Sequence, residues 1–138
     1  MNYNELIQLY FERSNALQNY WTVYVVIIGG LLAFSSLRKE RNLLTTTLVT
    51  VLFSFFAYKN LDAIHDVTLN RFAVLEAIKQ RKPATPEVGT AKQLIDPTLN
   101  PPAFEGVRSF HITSDVLTIL AMWSMERRRR QGEGSNRI

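Results

Sequence analysis

The chain has no cysteine among its 138 residues. That excludes disulfides, thiolate metal sites, prenylation and a lipoprotein anchor. Proline is sparse, and all five residues fall between Pro83 and Pro102. The residues before Tyr20 hold Glu5 and Glu12 against the single base Arg13. The basic n-region of a secretory signal is therefore missing, and the first apolar run is expected to be an uncleaved span. No Gly-x-x-x-x-Gly-Lys loop, serine nucleophile elbow or helix with paired catalytic carboxylates appears. Gly29-Gly30 lies inside an apolar run and has no phosphate role. These absences remove the common nucleotide-binding and hydrolytic classes, imply no cofactor and point to a protein that is not an enzyme.

What is present is three apolar runs, Tyr20–Leu37, Leu43–Tyr58 and Ile112–Met125. A helix needs about 20 mostly apolar residues to cross a hydrocarbon core of roughly 30 Å. The first run comes close without a single charge. The second reaches if it continues through Leu61, and the third needs Ser109–His111. The expected fold class is all-α, an integral membrane protein with three transmembrane helices at 20–37, 43–61 and 109–125. A soluble alternative would have to bury all three runs in one small domain.

Orientation follows from Lys and Arg placement. Arg38-Lys39-Glu40-Arg41 forms the turn between the first two runs, and Arg127–Arg130 opens a basic tail over 126–138. Both are expected on the cytoplasmic side, with the N-terminus outside. The segment from Lys59 to Val107 balances six basic against six acidic residues, so nothing retains it inside. Tyr20, Trp21, Tyr24 and Tyr58 are expected at the outer interface and Trp123 at the inner one. The localisation expected is the inner (plasma) membrane, multi-pass. The net charge of +4 reports this topology and does not call for nucleic acid. The partners expected are the lipid bilayer and either further copies of this chain or a larger membrane protein.

The flanks extend the first two helices. Over 3–19, Tyr3, Leu6, Ile7, Tyr10, Phe11 and Leu17 gather on one face of an amphipathic helix. Over 62–82, Ile64, Val67, Phe72, Leu75 and Ile78 do the same, and Pro83 ends the helix at Lys82 or just before. The first two helices are thus predicted as a long antiparallel hairpin, Tyr3–Leu37 with Asn42–Lys82, extended outside the bilayer. Residues 83–107, rich in proline, are expected as an outer loop.

Three groups of residues are candidates for function. Ser54, Tyr58, His111, Asp115 and Thr118 form an interspan polar clasp or ion path, with His111 and Asp115 one helical turn apart. Thr47 and Thr50 would join them in the lining of an oligomeric pore. Thr22, Gly29, Ala33 and Ser36 share one side of the first span, where Gly29-x-x-x-Ala33 is a small-xxx-small pattern that lets helices approach closely. His65 and His111 with Asp62, Asp66 or Asp115 are candidate metal ligands, without a diagnostic spacing. The leading expectation is a scaffold or accessory subunit acting through helix packing. The alternatives are an oligomeric channel or pore-forming effector and a metal-binding membrane protein.

Overall fold

The computed structural model describes residues 1–135, with side chains as far as Arg129; the last three residues of the expected tail lie outside the described residues. Among these the regular secondary structure is all helical. In order come α1 (Tyr3–Leu37), α2 (Leu43–Gln80), α3 (Pro86–Ile95), a short 3-10 turn (Asp96–Thr98) and α4 (Phe104–Ser135). Helix α1 starts at a reciprocal cap. The Asn2 side chain accepts from the Glu5 amide at 2.9 Å, and the Glu5 carboxylate accepts from the Asn2 amide at 2.7 Å. Two donors that the first helical turn leaves without partners are satisfied in this way.

The expected loop 83–107 is corrected by α3. Thr85 is its N-cap, accepting from the Val88 amide, and Pro86 occupies the first turn. Proline there loses no helical hydrogen bond and arrives with a helical φ. The density of prolines that suggested a loop thus includes the start signal of a helix. Helix α2 ends at Gln80, two residues before the expected limit, and α4 begins at Phe104, five residues before the expected third span.

The contacts divide the chain into two compact units, Met1–Tyr20 with Asp62–Val107, and Trp21–Leu61 with Arg108 onward. The first unit has its core where Tyr3, Leu6 and Tyr10 of α1 meet Leu75 and Ile78 of α2, with Leu99 from beyond α3. Each such buried side chain contributes about 1.5–3 kcal/mol of hydrophobic stabilisation. Arg71 lies buried beside this core, its guanidinium 5.0 Å from the centre of the Tyr10 ring and donating to the Tyr10 hydroxyl at 3.1 Å. Its Nε has no hydrogen-bond partner. Helix α3 buries no residue fully. Lys92 ties it down, donating to Asp96 at 2.5 Å and to the carbonyl of Ile78 near the end of α2.

The second unit is built from the remaining parts of α1 and α2 and from α4. Buried or half-buried positions recur at seven-residue intervals, two helical turns apart: Tyr24 and Leu31 on α1, Thr46, Phe53 and Asn60 on α2, His111, Thr118 and Met125 on α4. A seven-residue repeat is the seam of helices that pack side by side at a shallow angle. In the first unit the same spacing joins Tyr3, Tyr10 and Leu17 on α1.

Two helices, α1 and α2, are long and apolar enough to cross a membrane. Their most apolar stretches are hardly covered by the rest of the chain, with 11% and 22% buried respectively. A core helix of a soluble protein would be mostly buried. Helix α4 does not reach the same length of apolar sequence, yet Phe110, Val116, Leu117 and Leu120 on it are exposed in the same way.

Candidate functional site

The second unit buries polar side chains while exposing apolar ones, and most of the buried polar groups fall into two clusters. The first centres on His111 of α4, which is completely buried. Its Nδ1 lies 2.9 Å from Asp115 Oδ2, one turn along the same helix. Its Nε2 lies 3.2 Å from the side-chain amide nitrogen of Asn60 on α2. With that amide as donor, Nε2 accepts, and the single proton of the neutral ring sits on Nδ1, where it is donated to Asp115. Tyr24 of α1 completes the cluster. Its hydroxyl donates to Asp115 Oδ1 at 2.8 Å, with the His111 carbonyl at 3.2 Å as a further acceptor. The Tyr24 ring stacks on the imidazole at 4.0 Å between centroids, and Trp21 leans on both rings. Three helices thus meet at one imidazole.

This arrangement differs from the expected clasp in its members. Tyr58 is exposed, with Lys59 Nζ 5.6 Å from the centre of its ring. Ser54 is exposed too and donates to the Thr50 carbonyl in its own helix. Their places are taken by Tyr24, expected at the outer interface, and by Asn60. Thr118 is buried but donates to the Ser114 carbonyl at 2.7 Å, so its hydroxyl is satisfied within α4. Thr50 donates to the Thr46 carbonyl and accepts from the indole of Trp123 at 3.2 Å. Thr47 is exposed. The residues expected to line a pore therefore split, with Thr47 and Ser54 outward and Thr118 inward. The hydroxyls of Thr50, Ser54 and Thr118 are each used on a carbonyl one turn back.

The second cluster was not expected from the sequence. Glu126 of α4 is buried, and its carboxylate accepts from the Asn42 backbone amide at 2.9 Å, from the Thr46 hydroxyl at 3.1 Å and from Arg129 Nη1 at 2.9 Å. Arg38 stands 3.6 Å away. Burial alone would raise the carboxyl pKa, but the bonds from Thr46, Arg129 and Asn42 and the charge of Arg38 outweigh it, holding Glu126 below its ordinary value. Arg129 also donates to the carbonyls of Ser35 and Arg38 at the end of α1. The run Arg127–Arg130, read as a topology signal, therefore includes one arginine committed to a buried network. The signal available in advance was the Glu126-x-x-Arg129 spacing, which places both charges on one face of α4.

The candidate metal ligands are not gathered. Among the described residues no three His, Cys, Asp or Glu side chains come close enough to hold a metal ion. His65, Asp62 and Asp66 belong to the first unit, and His111 and Asp115 to the second. His65 lies 4.0 Å from Asp66 and 4.5 Å from the ring of Phe104.

The packing residues Thr22, Gly29, Ala33 and Ser36 are all exposed, on the side of α1 away from the buried seam. A Cβ added at Gly29 would meet nothing within 4 Å. Among the described residues no other helix packs closely against Gly29. Comparison with family models, with curated proteins and with solved structures finds no match.

Proposed function

We propose that this is a small integral membrane protein with three spans, supplied by α1, α2 and α4, acting without catalysis as a scaffold or accessory subunit. The observation that carries the reading is the inversion of the second unit. Val26, Phe55 and Leu117 are each more than half exposed, while His111, Glu126 and Thr118 are buried. Such an exterior is costly in water and suited to lipid, where buried polar groups must find partners inside the bundle. The same exterior on α4 supports counting it as a span. The Lys and Arg of the α1–α2 turn and of the stretch after Met125 support a cytoplasmic C-terminus and an outer N-terminus.

Partnership by helix packing is the working role. Its support is the exposed Gly29-x-x-x-Ala33 face together with polar clusters whose groups are engaged inside the chain. The partner is a second copy or a larger membrane protein presenting a comparably small-residue helix. The test is the mass of the protein in native membrane nanodiscs, for wild type, Gly29→Leu and Gly30→Leu. Gly30 also has nothing within 4 Å of an added Cβ but lies off the face, so it serves as a control of equal bulk. A complex lost with Gly29→Leu and kept with Gly30→Leu supports the reading. A monomer in every case, found with no larger protein attached, would remove it. Ion flux in liposomes containing the wild-type protein would instead favour the pore.

A further inference from the structure

The arginines around the α1–α2 turn fall into two kinds. Arg38 and Arg129 are spent on Glu126 and on backbone carbonyls. Arg41 and Arg127 take part in no ion pair among the described residues, and both border a cleft of about 260 Å³ lined with Leu43, Trp123 and Glu126. The one acid in that lining has its oxygens occupied by Asn42, Thr46 and Arg129. The cleft therefore offers two uncommitted guanidinium groups beside an indole and a leucine. Leu37, Leu43 and Leu44, next to the turn, carry exposed apolar side chains.

We propose that this cleft binds the phosphate of an anionic membrane lipid. Arg41 and Arg127 supply the fork-shaped donors that match phosphate oxygens in pairs. Trp123 is a residue type that settles at headgroup level, and Leu43 suits the glycerol end of an acyl chain. A free anion would use the arginines but not the apolar lining, so the lipid is the occupant that accounts for both. The proposal rests on the membrane reading above, and adds to it a specific ligand on the cytoplasmic side.

The test uses the full chain in phosphatidylcholine nanodiscs doped with phosphatidylglycerol, counting retained lipids by native mass spectrometry. The wild type should retain phosphatidylglycerol over phosphatidylcholine, and Arg41→Gln with Arg127→Gln should weaken that preference roughly thirtyfold. Lys39→Gln with Arg128→Gln removes the same charge outside the cleft lining and should leave most of the preference. Equal losses in the two double variants would mean a diffuse charge effect and overturn the site. So would displacement of the lipid by inorganic phosphate alone. Arg41→Lys with Arg127→Lys guards against misfolding, since it keeps the charge and should lose only part of the preference; full retention would overturn the paired-donor geometry. Extraction of native membranes at alkaline pH reports separately on insertion. Release there would undo the membrane reading, whereas retention with no lipid preference would undo this inference alone.

Discussion

Glu126 and Arg129 stand one turn apart on α4 and close opposite ends of the α1–α2 turn. The carboxylate accepts from the Asn42 amide just before α2, while the guanidinium donates to the Ser35 and Arg38 carbonyls at the end of α1. A negative charge at a helix N-terminus and a positive one at a C-terminus both oppose the exposed ends of the peptide dipoles. One face of α4 thus serves two helix ends, and the pair also bonds to itself at 2.9 Å.

Glu126→Gln should therefore destabilise far more than a surface substitution, by about 3 kcal/mol, because it leaves Arg38 and Arg129 without their carboxylate. The folded-state pKa of Glu126 lies below its ordinary 4.5. The folded form thus binds fewer protons than the unfolded one just below that value. Its stabilisation is complete above about 4.5 and is lost as pH falls through the folded pKa. Thermal unfolding in detergent across this acidic range checks both points. A wild-type acid loss that persists undiminished in Glu126→Gln would assign it to other carboxylates.

Tyr24 and Asp115 should be energetically coupled through His111. Tyr24→Phe keeps the ring on the imidazole but leaves Asp115 Oδ1 without its donor, which should cost about 1–2 kcal/mol. Asp115→Asn removes the acceptor of both Tyr24 and His111. If the three groups act as one network, the double variant should lose less than the sum of the singles, by about 0.5 kcal/mol or more. Strict additivity in unfolding measurements would reduce the cluster to unrelated contacts.

Much of the helical layout was legible in the residues. The uninterrupted stretch from Tyr3 to Leu37 reads as one helix because no proline or charged turn breaks it, and α2 is cut off by the approach to Pro83. The meeting of His111 with Asp115 is legible in their one-turn spacing. Tyr24 was hidden because an aromatic at the head of an apolar run looks like an interface marker. The stronger signal was its register, seven residues beyond Leu17 and fourteen beyond Tyr10. Asn60 was hidden likewise, although it follows Phe53 and Thr46 at the same interval. Helix α3 was masked by its prolines, since composition suggested a loop while Thr85-Pro86 is a start signal. The commitment of Glu126 was legible only as its one-turn spacing from Arg129, because its burial and its bonds to Asn42 and Thr46 require a fold that brings α4 to the α1–α2 turn.

Tyr3 should titrate late. Burial raises its phenol first, and the hydrogen bond and negative charge of Asp96 raise it further, to about 12. A raised folded pKa means stabilisation that is complete below the ordinary value of 10.0 and is lost as pH rises through about 12. Tyrosinate absorbance followed against pH should show a late phenol that is lost in Tyr3→Phe. An unchanged titration curve in that variant would mean the Tyr3–Asp96 bond does not persist in solution.

Lys92 should hold α3 in place. The helix has no fully buried residue, so it lacks the apolar anchor that fixes most helices. Its attachment relies on half-buried Val88 and Ile95 against the core of the first unit and on Lys92. That ammonium donates to Asp96 and to the Ile78 carbonyl, and lies 5.4 Å from the centre of the Tyr3 ring. It therefore also closes the C-terminal end of α2, where a positive charge is favourable. Lys92→Met preserves the apolar stem but removes every one of these polar contacts. Charged hydrogen bonds of this kind contribute about 1.5–3 kcal/mol each, enough to open so weakly anchored a helix locally. Hydrogen exchange should then accelerate across 86–98 while the paired stretches of α1 and α2 keep their protection. Unchanged exchange over 86–98 would show that Val88 and Ile95 suffice. Acceleration through all of the first unit would show that α3 is part of its core rather than a strap upon it.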